Sequence, residues 1–208
     1  MMEIKINFHS SICLGGKIYF DPFHIEKRVG GAKIVFITHS HYDHLDEKSL
    51  KNVAEKETIF VCTQDSAEKL LQWGFDKNKI VVVKPNQKFE VLGVKCETFP
   101  AYNINKKFHP KENGWVGYKI LLDGESFVVC GDSDVTDELK KVKTDTLFVP
   151  IGGFYTMDAS EASALVNITK PKIVVPMHYG AIVGGKEDEN KFLVGLDREI
   201  EGKLVFKV

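Results

Sequence analysis

A chain of 208 residues falls within the range of one domain that buries a large core without staples, and 43% hydrophobic against 27% charged residues is ordinary globular composition. The formal charge of −1 leaves no basic excess for phosphate backbones and weakens the case for a nucleic-acid partner. Cys13, Cys62, Cys96 and Cys130 form no Cys-x-x-Cys pair, residues 1–5 show no apolar signal region, and no segment approaches the roughly 18 apolar residues of a membrane helix, so we expect a cytoplasmic protein with buried thiols and no membrane span.

In chain order, Ile4–Phe8, Ile12–Leu14 and Ile18–Phe20 read as two or three antiparallel strands with a Gly15-Gly16 hairpin, ended by Asp21-Pro22. Ile34–Ile37 is the next strand. Asp46 then reads as an N-cap, with Leu45 and Leu50 as a hydrophobic staple, for a helix over 47–55. A strand Thr58–Cys62 leads to a helix from Gln64, with Ala67, Leu70 and Leu71 on one face and Gly74 as its stop. Further strands fall at Ile80–Val83, Phe89–Leu92 and Val94–Phe99. Pro100–Asn113 has no periodicity, and loops of that length tend to be functional. A hairpin of Gly114–Leu122 and Glu125–Cys130 turns at Asp123-Gly124. It delivers Gly131-Asp132-Ser133-Asp134 at a strand end. A short helix near Thr136–Val142, a strand Thr146–Val149, a capping box at Asp158–Glu161 opening a helix with Ala162, Leu165, Val166 and Thr169 inward, a strand Lys172–Val175, a helix near Asp188–Glu199 and a closing strand Leu204–Lys207 complete the chain. Strands mixed with helices in this rhythm indicate a sheet covered by helices, and His9, His39–His44, Asp132 and His178 each follow a strand-like run.

The densest chemistry is His39-Ser40-His41-Tyr42-Asp43-His44, directly after the Ile34–Ile37 strand. Alternate residues of an extended segment point the same way, so His39 and His41 can converge on one cation, while Asp43 and His44 can face a second where the chain turns. Imidazole and carboxylate without thiolate suit zinc, manganese or iron. Asp132 alone is also a good turn former. Asp21 is either a turn residue or an acceptor that orients a ligand histidine, and His9 taken alone reads as an exposed or capping histidine.

That hexapeptide resembles the His-x-His-x-Asp-His signature of the metallo-β-lactamase-fold superfamily, and Gly131-Asp132-Ser133 and Pro176-Met177-His178-Tyr179 are similar to its later ligand segments. Phe8-His9-Ser10, Asp21-Pro22-Phe23 and Pro150-Ile151-Gly152-Gly153 narrow the resemblance to the small lactonase-like branch that includes ascorbate-6-phosphate lactonase. The resemblance implies a single-domain four-layer αββα sandwich over residues 1–208, with two mixed sheets inside and helices outside. It implies two divalent metal ions, zinc first, with His39, His41 and a middle histidine on one, Asp43, His44 and His178 on the other, and Asp132 bridging.

A hydroxide shared by the metals would attack a small ester, lactone or phosphodiester. Asp43 would orient it, and His9 would contact substrate or a transition-state oxygen. The alternative is a metal-binding or sensory protein of the same fold without efficient hydrolysis. Flavodiiron relatives carry a flavin domain for which 208 residues leave no room. The chain departs from the pattern at the middle ligand, where Asn103 stands in the Pro-Ala-aromatic-His position. Either His109, six residues on in the same loop, reaches back to complete the His39/His41 ion, or that ion has only two histidines and binds weakly; His109 is the expected ligand, with Asn103 shaping the loop or contacting substrate. Tyr155, with Tyr102, Phe154 and Tyr179, is either a pocket wall or packing.

Overall fold

The computed structural model describes residues 2–205. The chain divides into two compact units, Met1–Lys84 and Pro85–Val208. Each unit is built on one sheet, and in each a stretch of antiparallel strands gives way to parallel ones.

In the first unit, β1 (Ile4–Ile6), β2 (Ile12–Leu14), β3 (Ile18–Phe20), β4 (Ala32–Phe36), β5 (Ala54–Cys62) and β6 (Ile80–Val82) lie side by side in chain order. The β1–β2–β3 meander is antiparallel, and its Gly15-Gly16 turn has φ of 57° and 69°, a region that suits glycine. From β3 onward the pairing is parallel, and parallel neighbours need crossovers, supplied by residues 21–31 before β4, by α1 (Glu47–Val53) before β5 and by α2 (Gln64–Gln72) before β6. Asp46 caps α1 by accepting the Ser49 N–H at 3.0 Å. Leu45 and Leu50 are buried with Val35, Phe60, Ala67 and Leu70 in one core. Leu71, expected inward, is 45% exposed. One residue beyond Leu70 turns about 100° around the helix, off the narrow stripe defined by Ala67 and Leu70.

In the second unit, β7 (Lys88–Val91), β8 (Val94–Pro100), β9 (Val116–Leu122), β10 (Glu125–Val129), β11 (Thr146–Pro150), β12 (Ile173–Met177) and β13 (Glu201–Gly202) are likewise neighbours in chain order. Pairing is antiparallel from β7 to β10 and parallel from β10 to β13. α3 (Ala159–Thr169) begins with the expected capping box and buries Ala162, Leu165, Val166 and Thr169. These residues, apart from Thr169, share a core with Val128, Leu147, Val174 and Phe192, the last from α4 (Lys186–Val194).

Four expected elements come out differently. The helix expected at Thr136–Val142 is a single 3-10 turn, Leu139–Lys141, because only Leu139 in it is buried. The last helix, expected near Asp188–Glu199, is α4, starting at Lys186 and capped by Gly195. β5 begins at Ala54, four residues early, because Ala54 pairs with Ala32. The closing strand lies at Glu201–Gly202, beside Ile173 and Val174; Leu204 is not in a strand, and positions 206 and 207 fall outside the described residues. Among the described residues no helix is long and apolar enough to cross a membrane.

Candidate metal centre

The end of β3 lies beside the end of β4, and the Asp21 N–H donates to the Phe36 carbonyl at 3.0 Å. That pairing sets the Asp21 carboxylate under the first residues of the histidine run. Its Oδ1 accepts the Thr38 N–H at 2.8 Å, and its Oδ2 accepts the Thr38 hydroxyl at 2.7 Å and His44 Nδ1–H at 2.8 Å. With its proton given to Asp21, the Thr38 oxygen is left to accept from His39 Nδ1 at 2.9 Å. One buried carboxylate thereby fixes the tautomers of His39 and His44, leaving each Nε2 as the atom with a lone pair. Burial pushes the Asp21 carboxyl up, against the opposing pull of His44 and Thr38.

His39 Nε2 lies 3.1 Å from His41 Nδ1. Two ligands of one tetrahedral ion, each about 2.0–2.1 Å from it, stand about 3.3 Å apart, so the spacing fits a shared cation. Beside them, Asp43 Oδ2 is 3.4 Å from His9 Nε2 and 3.5 Å from His44 Nε2. The donor atoms of His9, Asp43 and His44 all fall within 4.8 Å of one another. His9 is fully buried, which removes the exposed reading that its sequence context allowed.

In the second unit, Asp132 follows β10 and His178 follows β12. Asp132 Oδ2 is 3.0 Å from His178 Nε2 and 3.2 Å from His109 Nε2. His109 Nδ1 faces the Asn103 amide oxygen at 3.0 Å. That oxygen only accepts, so Nδ1 carries the proton and Nε2 the lone pair. Asn103 is otherwise engaged as well: its oxygen accepts the His109 N–H at 3.0 Å, and its amide group donates to the Tyr155 carbonyl at 3.0 Å and Asp134 Oδ1 at 3.1 Å. Both hydrogens and both lone pairs of the Asn103 side chain are used within the chain, which favours loop shaping over substrate contact.

His178 is held by its neighbours. A Cβ added at Gly152 would come within 2.2 Å of the His178 carbonyl oxygen, so only glycine lets these two segments approach. Tyr179 is buried and donates to Glu189 Oε2 on α4 at 2.7 Å, and Lys186 pairs with the same glutamate. Tyr179 is thus an anchor for His178. Tyr155 is half-buried in a ring cluster, 4.8 Å from Phe108 and 4.9 Å from Phe154, the latter 68% exposed. Tyr102 donates to Glu138 at 3.0 Å.

Three of these positions, His9 (φ 54°), Asp21 (φ 44°) and His178 (φ 58°), have left-handed backbone that non-glycine residues adopt only under constraint. Nothing in the sequence marked Thr38 as a member of the group. Its one signal was its place between the strand and the first histidine.

Residues 8–178 match the family model described as a Beta-lactamase superfamily domain. The protein named UPF0173 metal-dependent hydrolase in Nanoarchaeum equitans is 31% identical over 206 residues, covering 92% of this chain and 90% of its own length. One of that name in Thermococcus onnurineus is 28% identical over 217 residues, covering 96% and 95%. A solved structure from Parabacteroides distasonis, assigned to the metal-dependent hydrolases, aligns with a TM-score of 0.80 at 28% identity, over 99% of this chain and 94% of its own. A metallo hydrolase of Ignicoccus hospitalis shares the fold at TM-score 0.75 and 21% identity, over 98% and 94%. With this fold and this match over most of its length, the chain belongs to the beta-lactamase superfamily domain family, among the UPF0173 metal-dependent hydrolases.

Proposed function

We propose that the chain is a single-domain hydrolase that holds two divalent cations, zinc first with manganese or iron fitting the same donors, and acts on a small ester, lactone or phosphodiester. His39, His41, Asp43, His44 and, from its burial beside Asp43, His9 would be the ligands from the first unit, and His109, Asp132 and His178 those from the second. The observation that carries this reading is the Asp21 carboxylate. A buried acid that accepts three hydrogen bonds, directly from His44 and through Thr38 from His39, orients imidazoles as a carboxylate behind metal-bound histidine does. Bound divalent ions supply a water acidic enough to attack near neutral pH and an electrophile that polarises the scissile bond.

The chain's own groups supply the rest. Asp43 Oδ2, flanked by His9 and His44, accepts a hydrogen bond from the attacking water, orients it, and later passes its proton to the leaving oxygen. Tyr155, braced by Phe108 and Phe154, faces the organic part of the substrate. All four cysteines are free, which supports the cytoplasmic expectation.

The test is Asp43→Asn, assayed on a panel of esters, lactones and phosphodiesters with metal content measured in parallel. We expect turnover to fall by about 10²- to 10⁴-fold with the far-UV circular dichroism unchanged. Undiminished turnover removes Asp43 from the mechanism. Full metal occupancy with no turnover of any panel member in the unmodified protein would favour the metal-binding or sensory alternative.

A further inference from the structure

The chain offers its middle histidine from a loop, six residues after the asparagine that stands in the expected place. A ligand on so long an excursion is poorly positioned unless something removes the loop's freedom. Asp134 does so. Its carboxylate, 5% exposed, accepts the Asn103 side-chain amide at 3.1 Å, the Ile104 N–H at 2.8 Å and Lys106 Nζ at 2.6 Å. These are three points on the outgoing half of the excursion. Asn103 closes the return: its N–H donates to the His109 carbonyl at 2.8 Å, while its side-chain oxygen accepts both the N–H and Nδ1–H of His109.

We propose that Asp134 is a positioning residue for His109, acting through Asn103. This rests on the reading of His109 as a metal ligand. Asp134 stands two residues beyond Asp132 on the segment that leaves β10, and its own N–H donates to the Tyr102 carbonyl at 3.0 Å. The same short segment carries the Asp132 carboxylate and anchors the loop that brings His109 Nε2 to within 3.2 Å of it. A staple for the loop alone would need only the backbone bonds. The network instead ends on a ring nitrogen, which sets the rotation of the imidazole as well as the place of its backbone.

Zinc-loaded protein, titrated with a competing chelator, and its cobalt(II)-substituted form, read by visible absorption, test this. Asp134→Asn keeps the shape of the side chain but offers one acceptor oxygen to three donors. We expect one of two ions to bind about 10- to 100-fold more weakly, the cobalt spectrum to change, and far-UV circular dichroism to stay as in the unmodified protein. Asn103→Ala should weaken the same ion, and it carries the test if Asp134→Asn does not fold. Native affinity for both ions with an unchanged cobalt spectrum in either variant, even with a lower melting temperature, overturns the proposal. His109→Ala separates the two readings. Loss of an ion there with none in Asp134→Asn overturns the positioning role alone, and retention of both ions in His109→Ala overturns the ligand reading and the positioning role with it.

Discussion

Asp21 is the residue on which the histidines of the first unit depend. Its two oxygens accept from Thr38 N, Thr38 Oγ1 and His44 Nδ1, and an amide in its place would turn an N–H₂ group toward one of those donors. Asp21→Asn is therefore expected to lower metal affinity by about 10- to 100-fold, measured by chelator competition. Unchanged affinity would show that the histidines need no support from it. The neighbouring candidate ligands stood out because His39, His41, Asp43 and His44 sit within one hexapeptide and metal spacing is visible in the text itself. Asp21 did not, since an aspartate before proline reads equally as a turn former. Only its register beside Phe36 turns it toward Thr38 and His44. His109 was singled out through the resemblance, which implies a middle histidine near that place; the role of Asn103 was left between loop and substrate until its four hydrogen bonds could be seen.

At the scale of elements, the approach of the Gly152 segment to the end of β12 fixes His178. Gly152→Ala forces the added methyl against the His178 carbonyl, so we expect weaker metal binding and lower turnover with most of the secondary structure kept. Near-normal activity would mean that the segment yields without moving the histidine. A second prediction concerns the joint between strands. Asp145, just before β11, accepts the Ser126 hydroxyl at 2.7 Å and N–H at 2.9 Å from β10, and pairs with Lys172 beside β12 at 2.7 Å. Lys172 and both Ser126 groups hold its carboxyl well below the usual carboxylate range. A depressed folded-state pKa stabilises the fold in full above the unfolded value, about 3.9, and that contribution declines below it and is lost as pH falls through the folded value. Asp145→Asn should destabilise by about 1–2 kcal/mol at pH 7, discounted for the partial exposure of the pair, with the gap smaller at about pH 3 and closing only as pH falls through the depressed folded value. Denaturant unfolding at both pH values measures it, and a gap independent of pH would contradict the assignment.

Element prediction succeeded where the period was strong and the ends were capped, as at Asp46 and Asp158. It failed where long-range pairing decides. Glu55-Lys56-Glu57 favours helix by propensity, yet Ala54 pairs with Ala32 and Thr58 Oγ1 accepts the Glu55 N–H at 2.7 Å, so the chain extends. Leu71 and the 3-10 turn at Leu139–Lys141 were misread for a smaller reason: one apolar residue more or less decides whether a helical face is worth burying.

Across the whole molecule, each unit presents a carboxylate oxygen flanked by two imidazole nitrogens: Asp43 with His9 and His44, Asp132 with His109 and His178. The placement of these groups past strand-like runs, His109 excepted, was legible from the alternation of apolar runs and candidate ligand residues. The division into two compact units was not, because no linker or composition shift marks position 84. The central claim is a two-ion centre that includes Asp132. Elemental analysis of protein purified without added metal and then saturated, comparing the unmodified chain with Asp132→Ala, tests it most directly. The account predicts two ions per chain and the loss of at least one, with activity, in the variant. A single ion at saturation in the unmodified chain, or two ions with normal activity in Asp132→Ala, would contradict it.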